Sequence, residues 1–179
     1  MSFHENYIKS VLFEFRRYKT MGDKTFDQLS DKEILWKLKD TDNSISIIVK
    51  HMVGNMLSRW TNFLTEDGEK NWRNRDMEFE GEYQSKAEML IAWEKGWNCL
   101  FNALESINAS NFDTKVNIRS EQHTIIEAVN RQLAHYAGHV GQIVFVGRMI
   151  KGSDWVSLSI PKGGSKDFNK KMFGSSNSA

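Results

Sequence analysis

The stretch that decides the fold is Thr124–Gly152, which reads TIIEAVNRQLAHYAGHVGQIVFVGRMIKG. Its first four residues, Thr124 to Glu127, have the form of a capping box, in which two side chains satisfy free amides of a first helical turn. No proline interrupts the stretch, and Gly152 is the residue type that most often follows the end of a helix. The stretch therefore predicts one long helix that ends at Lys151.

Three further stretches predict long helices, because their apolar residues return mostly every three or four positions and so form one stripe. These helices run from Phe3 to about Leu29, from Ile45 to Leu64, and from the Ser85–Glu88 capping box to about Ile107. Four long helices without an alternating strand pattern predict an all-α fold. We expect a four-helix bundle over about residues 3–152.

The segments outside these helices are expected to be ordered to different degrees. Residues 67–84 predict an ordered loop after the second helix, because their aromatic residues argue against disorder, and residues 113–120 predict a short extended segment or hairpin arm. The tail, residues 153–179, contains Trp155, Leu158 and Ile160, which predicts packing on the bundle or on a second copy in a homodimer before fraying after Phe173. We expect one domain over residues 1–179.

Composition and charge exclude several classes of function. The 24 basic residues balance 23 acidic ones to a net charge of +1, so the chain has no long-range field to attract nucleic acid or an anionic membrane. The chain has one cysteine, Cys99, and no disulfide framework. Its first residues lack the basic start and apolar run that a signal peptide has, and no stretch approaches the length needed to span a bilayer. We therefore expect a cytoplasmic protein with no nucleic-acid or membrane partner.

Three histidines form the candidate site. His135 and His139 are four residues apart in the fourth predicted helix, so their side chains leave one face about 6 Å apart along the axis and can meet one metal ion. His51 lies beside the apolar stripe of the second helix, where an unpaired imidazole would lose hydration. The pair alone is also compatible with two polar residues at a bundle edge. Small residues around it either leave room for a ligand or serve close helix packing (Ala134, Ala137, Gly138 and Gly141).

Residues 134–143, AHYAGHVGQI, resemble the His-x-x-x-His-x-Gly-Gln-Ile signature of the DinB-like superfamily. His51 stands where that family has its first ligand, and residues 58–76 resemble one uncharacterised bacterial branch of it. The resemblance covers about residues 3–165. It implies a four-helix bundle in which His51, His135 and His139 bind a divalent transition metal, with zinc or nickel preferred. Some relatives have a further histidine at the position occupied here by Arg131.

Five more residues are candidates for a ligand pocket beside the metal: Trp60, Arg73, Arg75, Arg131 and Gln142. Trp60 is expected to supply an apolar floor, and the arginines a charged rim for an anion. Arg73 and Arg75 would otherwise pin the loop through ion pairs, and Arg131 would otherwise be solvated. Gln142 is expected either to support a ligand histidine or to cap backbone in a neighbouring helix.

Two kinds of function fit this sequence. Three histidine ligands leave a coordination position open, which suits a metal-dependent transferase or hydrolase acting on a thiol or anionic ligand. The resemblance includes thiol-using transferases and so favours transfer over hydrolysis. The alternative is a non-catalytic metal- or ligand-binding module that acts as a homodimer. No catalytic residue is assigned, because Glu121 and Glu127 are expected to lie too far from the histidine pair and Cys99 to be structural.

Overall fold

The structure is a computed structural model that describes residues 1–174. It is mostly helical, as an all-α fold requires, with the helices α1 (Phe3–Phe26), α2 (Ile45–Trp60), α3 (Lys86–Glu105), α4 (Ile125–Lys151) and α5 (Ser165–Gly174). Strands β1 (Lys115–Ile118) and β2 (Glu121–Thr124) form one antiparallel hairpin before α4. Three short 3₁₀ turns lie at Glu33–Leu35, Asp76–Glu78 and Gly152–Asp154.

Side-chain caps define where the long helices begin. The capping box predicted at Thr124 and Glu127 is confirmed, because each side chain bonds the other residue's backbone amide. At the start of α3 the prediction is wrong in one detail: Ser85 accepts from the amide of Glu88, but the Glu88 carboxylate bonds the amide of Gln84. That carboxylate still satisfies a free amide beside the helix start, so the helix begins where the sequence indicated.

Three predicted helix ends lie too far along the chain. The second helix ends at Trp60 and not at Leu64, because Thr61 is extended and Asn62 has a φ of 50°. The first ends at Phe26 instead of about Leu29, and the third at Glu105 instead of about Ile107. In each case apolar residues beyond the last helical turn continue the stripe, so periodicity alone could not locate the end.

The long helices enclose one continuous apolar core. α1 and α2 each pack against both α3 and α4, and the largest buried side chains meet where these four helices converge. Phe15 of α1 lies 6.3 Å from Trp97 of α3 and 6.1 Å from Tyr136 of α4, measured between ring centroids. Rings at these distances add to the stability that burial itself supplies. No helix among residues 1–174 is both long enough and apolar enough to cross a membrane.

The hairpin has an unusual two-residue turn. Arg119 and Ser120 have φ angles of 56° and 64°, in the left-handed region that Asn-Gly sequences normally supply at such turns. The carboxylate of Asp67 accepts hydrogen bonds from both of their backbone amides, at 2.8 and 2.7 Å. Asp67 lies in the segment that follows α2, so this strained turn is attached to a part of the chain about fifty residues earlier.

The tail folds back on its own chain at its beginning. Trp155 is half-buried near Gly147 of α4, and the Val156 amide donates to the side chain of Gln28 at 2.8 Å. Helix α5 was not predicted from the sequence, and none of its residues is buried. Its large apolar residues, Phe168, Met172 and Phe173, are exposed. The fraying expected after Phe173 lies almost entirely outside the described residues.

The strained turn generates a stability prediction. We expect Ser120→Gly to raise the free energy of unfolding by roughly 0.5–1 kcal/mol, because glycine adopts a positive φ without the steric cost that serine has there. Urea unfolding measures the change. Ser153→Gly, at an exposed position where φ is not positive, is the control and should leave stability unchanged or lower it. A loss of stability in Ser120→Gly would contradict the strain.

Candidate metal centre

The structure brings together the three histidines that the sequence singled out. His51 lies in the middle of α2, and His135 and His139 lie one turn apart on the face of α4 that looks toward it. Nε2 of His135 is 3.0 Å from Nε2 of His139 and 3.4 Å from Nε2 of His51. One nitrogen from each ring can be chosen so that all three lie within 4.8 Å of one another, a separation that a single ion can bridge.

Two of the three rings are held from behind by a hydrogen bond at Nδ1. The Glu78 carboxylate lies 2.9 Å from Nδ1 of His51, and Oε1 of Gln142 lies 2.9 Å from Nδ1 of His139. An ionised carboxylate can only accept a hydrogen bond, so Nδ1 of His51 carries the proton and its Nε2 offers a lone pair. Carboxylate and amide partners of this kind orient metal-binding histidines in proteins.

Glu78 is a site residue that the sequence analysis missed. It lies in the 3₁₀ turn Asp76–Glu78, is buried, and also accepts two hydrogen bonds from Arg73, at 2.7 and 3.0 Å. Burial acts to raise the pKa of Glu78, but the bonds from His51 and Arg73 outweigh it and hold the pKa below its usual range. A Cβ at Gly54 would overlap the Glu78 carboxylate, so glycine one turn after His51 makes room for this contact. Gly54 is the one feature of the sequence that could have indicated this contact.

The electrostatic environment keeps the central imidazole neutral. Burial lowers the pKa of His135 to about 4, assisted by the neighbouring His139 and His51 and by nearby arginines. Burial also lowers the pKa of His139. At neutral pH these rings are therefore uncharged. Because Nδ1 of His51 and of His139 donate to Glu78 and Gln142, the Nε2 atoms of these two rings present lone pairs that a cation would stabilise. The donor set thus fits a divalent transition metal.

A chain of buried hydrogen bonds lies directly beneath the histidines. Nε1 of Trp60 donates to the Tyr136 hydroxyl at 3.1 Å, and that hydroxyl donates to Oδ1 of Asn55 at 2.8 Å. Trp60, which the sequence predicts as an apolar floor of the pocket, is buried in the core and is not among the residues that line this cavity. Its indole serves the contact between α2 and α4.

A cavity of about 190 Å³ adjoins His51 and His135. Arginines form much of its wall, together with Asn55 of α2 and Gln132 of α4, and they come from four parts of the chain: Arg59, Arg73, Arg75, Arg119 and Arg131. The three arginines that the sequence proposed, Arg73, Arg75 and Arg131, thus lie at one cavity. Arg73 is not an exposed rim residue, because its side chain is buried in the ion pair with Glu78.

The other predicted residues lie as follows. Gln142 is not part of the cavity wall and instead contacts His139. Gly138 and Gly141 face open space and do not serve close helix packing, and neither lines the cavity. Cys99 lies near Thr61 in a different hollow, away from the histidines.

The buried pair of Glu78 and Arg73 generates a prediction for metal-free protein. We expect Glu78→Gln to lower the free energy of unfolding by roughly 3 kcal/mol, because the buried Arg73 charge loses its main partner. Adding Arg73→Met should restore most of that loss. Urea unfolding after chelator treatment measures both, and Glu80→Gln, an exposed position in the same loop, is the control. Equal effects of the two glutamine variants would contradict the role of Glu78.

Comparison with known proteins gives one match. No significant match was found among curated proteins or among solved structures. A family described as "Protein of unknown function (DUF1572)" matches residues 2–164, which include all three histidines, Glu78 and the arginines of the cavity. Because that match covers nearly the whole chain, the protein belongs to the DUF1572 family.

Proposed function

We propose that this protein binds a divalent transition metal, zinc or nickel, through His51, His135 and His139. With that ion it acts as a metal-dependent transferase or hydrolase. The observation that carries the proposal is the convergence of three imidazole nitrogens, with the ring of His51 oriented by a buried carboxylate. Three neutral histidine ligands are the donor set of known catalytic zinc sites. A bound ion would supply a Lewis acid able to activate a thiol or a water molecule.

The chain's own residues support an open site more than a closed structural one. The cavity reaches both His51 and His135. Among residues 1–174 the cluster contains three histidines and no fourth metal-binding side chain. A small anionic or thiol ligand could therefore reach the ion, which is the arrangement that turnover requires.

We do not assign the general acid or base of the reaction to either glutamate near the start of α4. Glu127 is engaged by the capping box at Thr124, and Glu121 is exposed at the hairpin. Glu78 is engaged by His51 and Arg73. Asn55 is the uncharged polar side chain of α2 on the cavity wall, with Oδ1 already accepting from Tyr136, so its amide nitrogen is available to orient a ligand.

The architecture that we propose is a four-helix bundle of the DinB-like type in one domain. Support comes from the pairing of the long helices, in which α1 and α2 each have α3 and α4 as neighbours, and from the placement of the three histidines on α2 and α4. The non-catalytic alternative, a metal-binding module acting as a homodimer, is supported by exposed Phe168 and Phe173 on α5, which a second copy could cover.

Metal content tests the ligand set. We expect wild-type protein, purified without a histidine tag, to hold about one zinc or nickel per chain. His51→Ala, His135→Ala and His139→Ala should each lose it on dialysis against a chelator, because two imidazoles rarely retain a divalent ion. His4→Ala and His123→Ala are controls and should keep the metal. Full metal content in His51→Ala would show that the third ligand lies elsewhere.

The open coordination position is tested with cobalt. We expect the visible spectrum of the cobalt-loaded protein to change when a low-molecular-weight thiol or a carboxylate is added at millimolar concentration, because an exchangeable position admits either ligand. The chain without its three histidines, loaded in the same way, is the control. An unchanged spectrum with every ligand would favour the non-catalytic module.

A further inference from the structure

The cavity beside the three histidines has an excess of positive charge. Five arginines form its wall, and two carboxylates, those of Glu69 and Glu78, are the acidic partners that the structure gives to Arg59, Arg73 and Arg119. Within residues 1–174, Arg75 and Arg131 have no carboxylate partner. Arg75 instead lies over the ring of Phe79, with its guanidinium carbon 5.5 Å from the ring centroid. An anion in the cavity would therefore meet uncompensated cations.

Two buried polar groups of the wall lack a partner within the described part of the chain. They are Nε of Arg59 and Oε1 of Gln132, whose residues are 5% and 4% exposed. Buried polar atoms in proteins are nearly always hydrogen-bonded, so each exception asks for a partner. A ligand that offers both acceptor oxygens and a donor would satisfy the guanidinium and the amide together.

Helix geometry places these groups one or two turns away from the histidines along α2 and α4. On α2, Asn55 and Arg59 follow His51 by one and two turns, and on α4, Arg131 and Gln132 precede His135 by about one turn. Each turn advances about 5.4 Å along the helix. The arginine end of the cavity therefore begins about one turn from the metal-binding nitrogens, and a molecule of moderate length could reach both ends.

The strained hairpin turn supports a ligand role for this end. Arg119, which forms part of the cavity wall, adopts a positive φ that an arginine rarely adopts, and Asp67 maintains that conformation. Backbone strain of this kind is concentrated at functional sites, where the surrounding structure compensates for it. A turn that only joined β1 to β2 would be more stable with asparagine and glycine.

From these observations we propose that the cavity binds a small molecule with a dianionic group, a phosphate or a dicarboxylate, with Arg131, Arg75 and Arg59 as the cationic partners and Oε1 of Gln132 as the acceptor for a hydroxyl group of the ligand. The anionic group occupies the arginine end, and the remainder of the molecule extends toward His51 and His135. This ligand class rests on the proposed function only for that second end, since the arginine end exists without a metal.

Calorimetric titration of chelator-treated, full-length protein tests the arginine end alone. Inorganic phosphate and succinate are the dianionic probes, and acetate is the monoanionic one. We expect phosphate, succinate or both to bind at least tenfold more tightly than acetate, because two anionic oxygens can accept from several guanidinium groups at once. The preferred probe identifies the phosphate or the dicarboxylate form of the ligand. Absence of binding by both dianions, or equal binding of acetate, would overturn the proposal.

A matched pair of variants locates the binding. Arg131→Gln removes one cation from the cavity, and Arg148→Gln removes one from an exposed position farther along the same helix, outside the cavity. We expect Arg131→Gln to weaken binding of the preferred dianion by about tenfold or more, and Arg148→Gln to change it by less than twofold. Equal effects would show that net charge alone attracts the anion, and the proposal would fail.

Gln132→Leu separates a ligand-binding role from a structural one. Leucine nearly matches glutamine in size and removes an amide oxygen that lacks a partner among residues 1–174. We therefore expect an unchanged or higher melting temperature together with weaker binding of hydrogen phosphate, whose hydroxyl can donate to that oxygen. A lower melting temperature with unchanged binding would exclude Gln132 from the ligand site. Metal content of the untreated protein, measured in parallel, tests the proposed function separately, because failure at the histidines leaves the anion titration interpretable.

Discussion

The hydrogen bonds of the Tyr136 hydroxyl determine how α2 lies against α4. Burial raises the pKa of Tyr136 well above its usual value, so the hydroxyl keeps its proton, accepts from Trp60 and donates to Asn55. Both partners belong to α2, and the tyrosine is adjacent to His135 on α4. A buried hydroxyl loses this pair of bonds if either helix slides, which is costly. The alignment of His51 with the other two histidines therefore depends on a contact in the core and does not require an ion to create it.

A second buried contact joins the loop after α2 to the site. Glu78 accepts one hydrogen bond from His51 of α2 and two from Arg73 of its own loop. The 3₁₀ turn that contains Glu78 is thus attached to the His51 ring and, through charge-assisted bonds, to the rest of the loop. Phe79, the next residue, stacks on the same imidazole with ring centroids 4.8 Å apart. The loop is thereby part of the site, and packing on His51 accounts for Phe79, although Trp72 of the same loop is exposed.

The features that the sequence alone predicts are those that depend on local geometry. Four residues between His135 and His139 in a helix place both rings on one face whatever the rest of the chain does. The role of Glu78 depends on how a loop folds back across α2, and no spacing in the sequence encodes that contact. Trp60 and Arg73 are assigned to the pocket from residue type. Trp60 instead belongs to the Tyr136 network, whereas Arg73 does line the cavity but has its charge engaged by Glu78. Helix α5 escaped prediction because it has no buried face to impose a periodic pattern.

The carboxylate of Asp67 joins the two segments that supply most of the arginines. It accepts from the amides of Arg119 and Ser120 in the hairpin and from the amide of Glu69 in its own loop. The loop and the hairpin are therefore coupled, because displacing the loop would break the hydrogen bonds between Asp67 and the hairpin turn. The spacing between Arg119 and the arginines of the loop therefore depends on these backbone hydrogen bonds and not on the flexible arginine side chains.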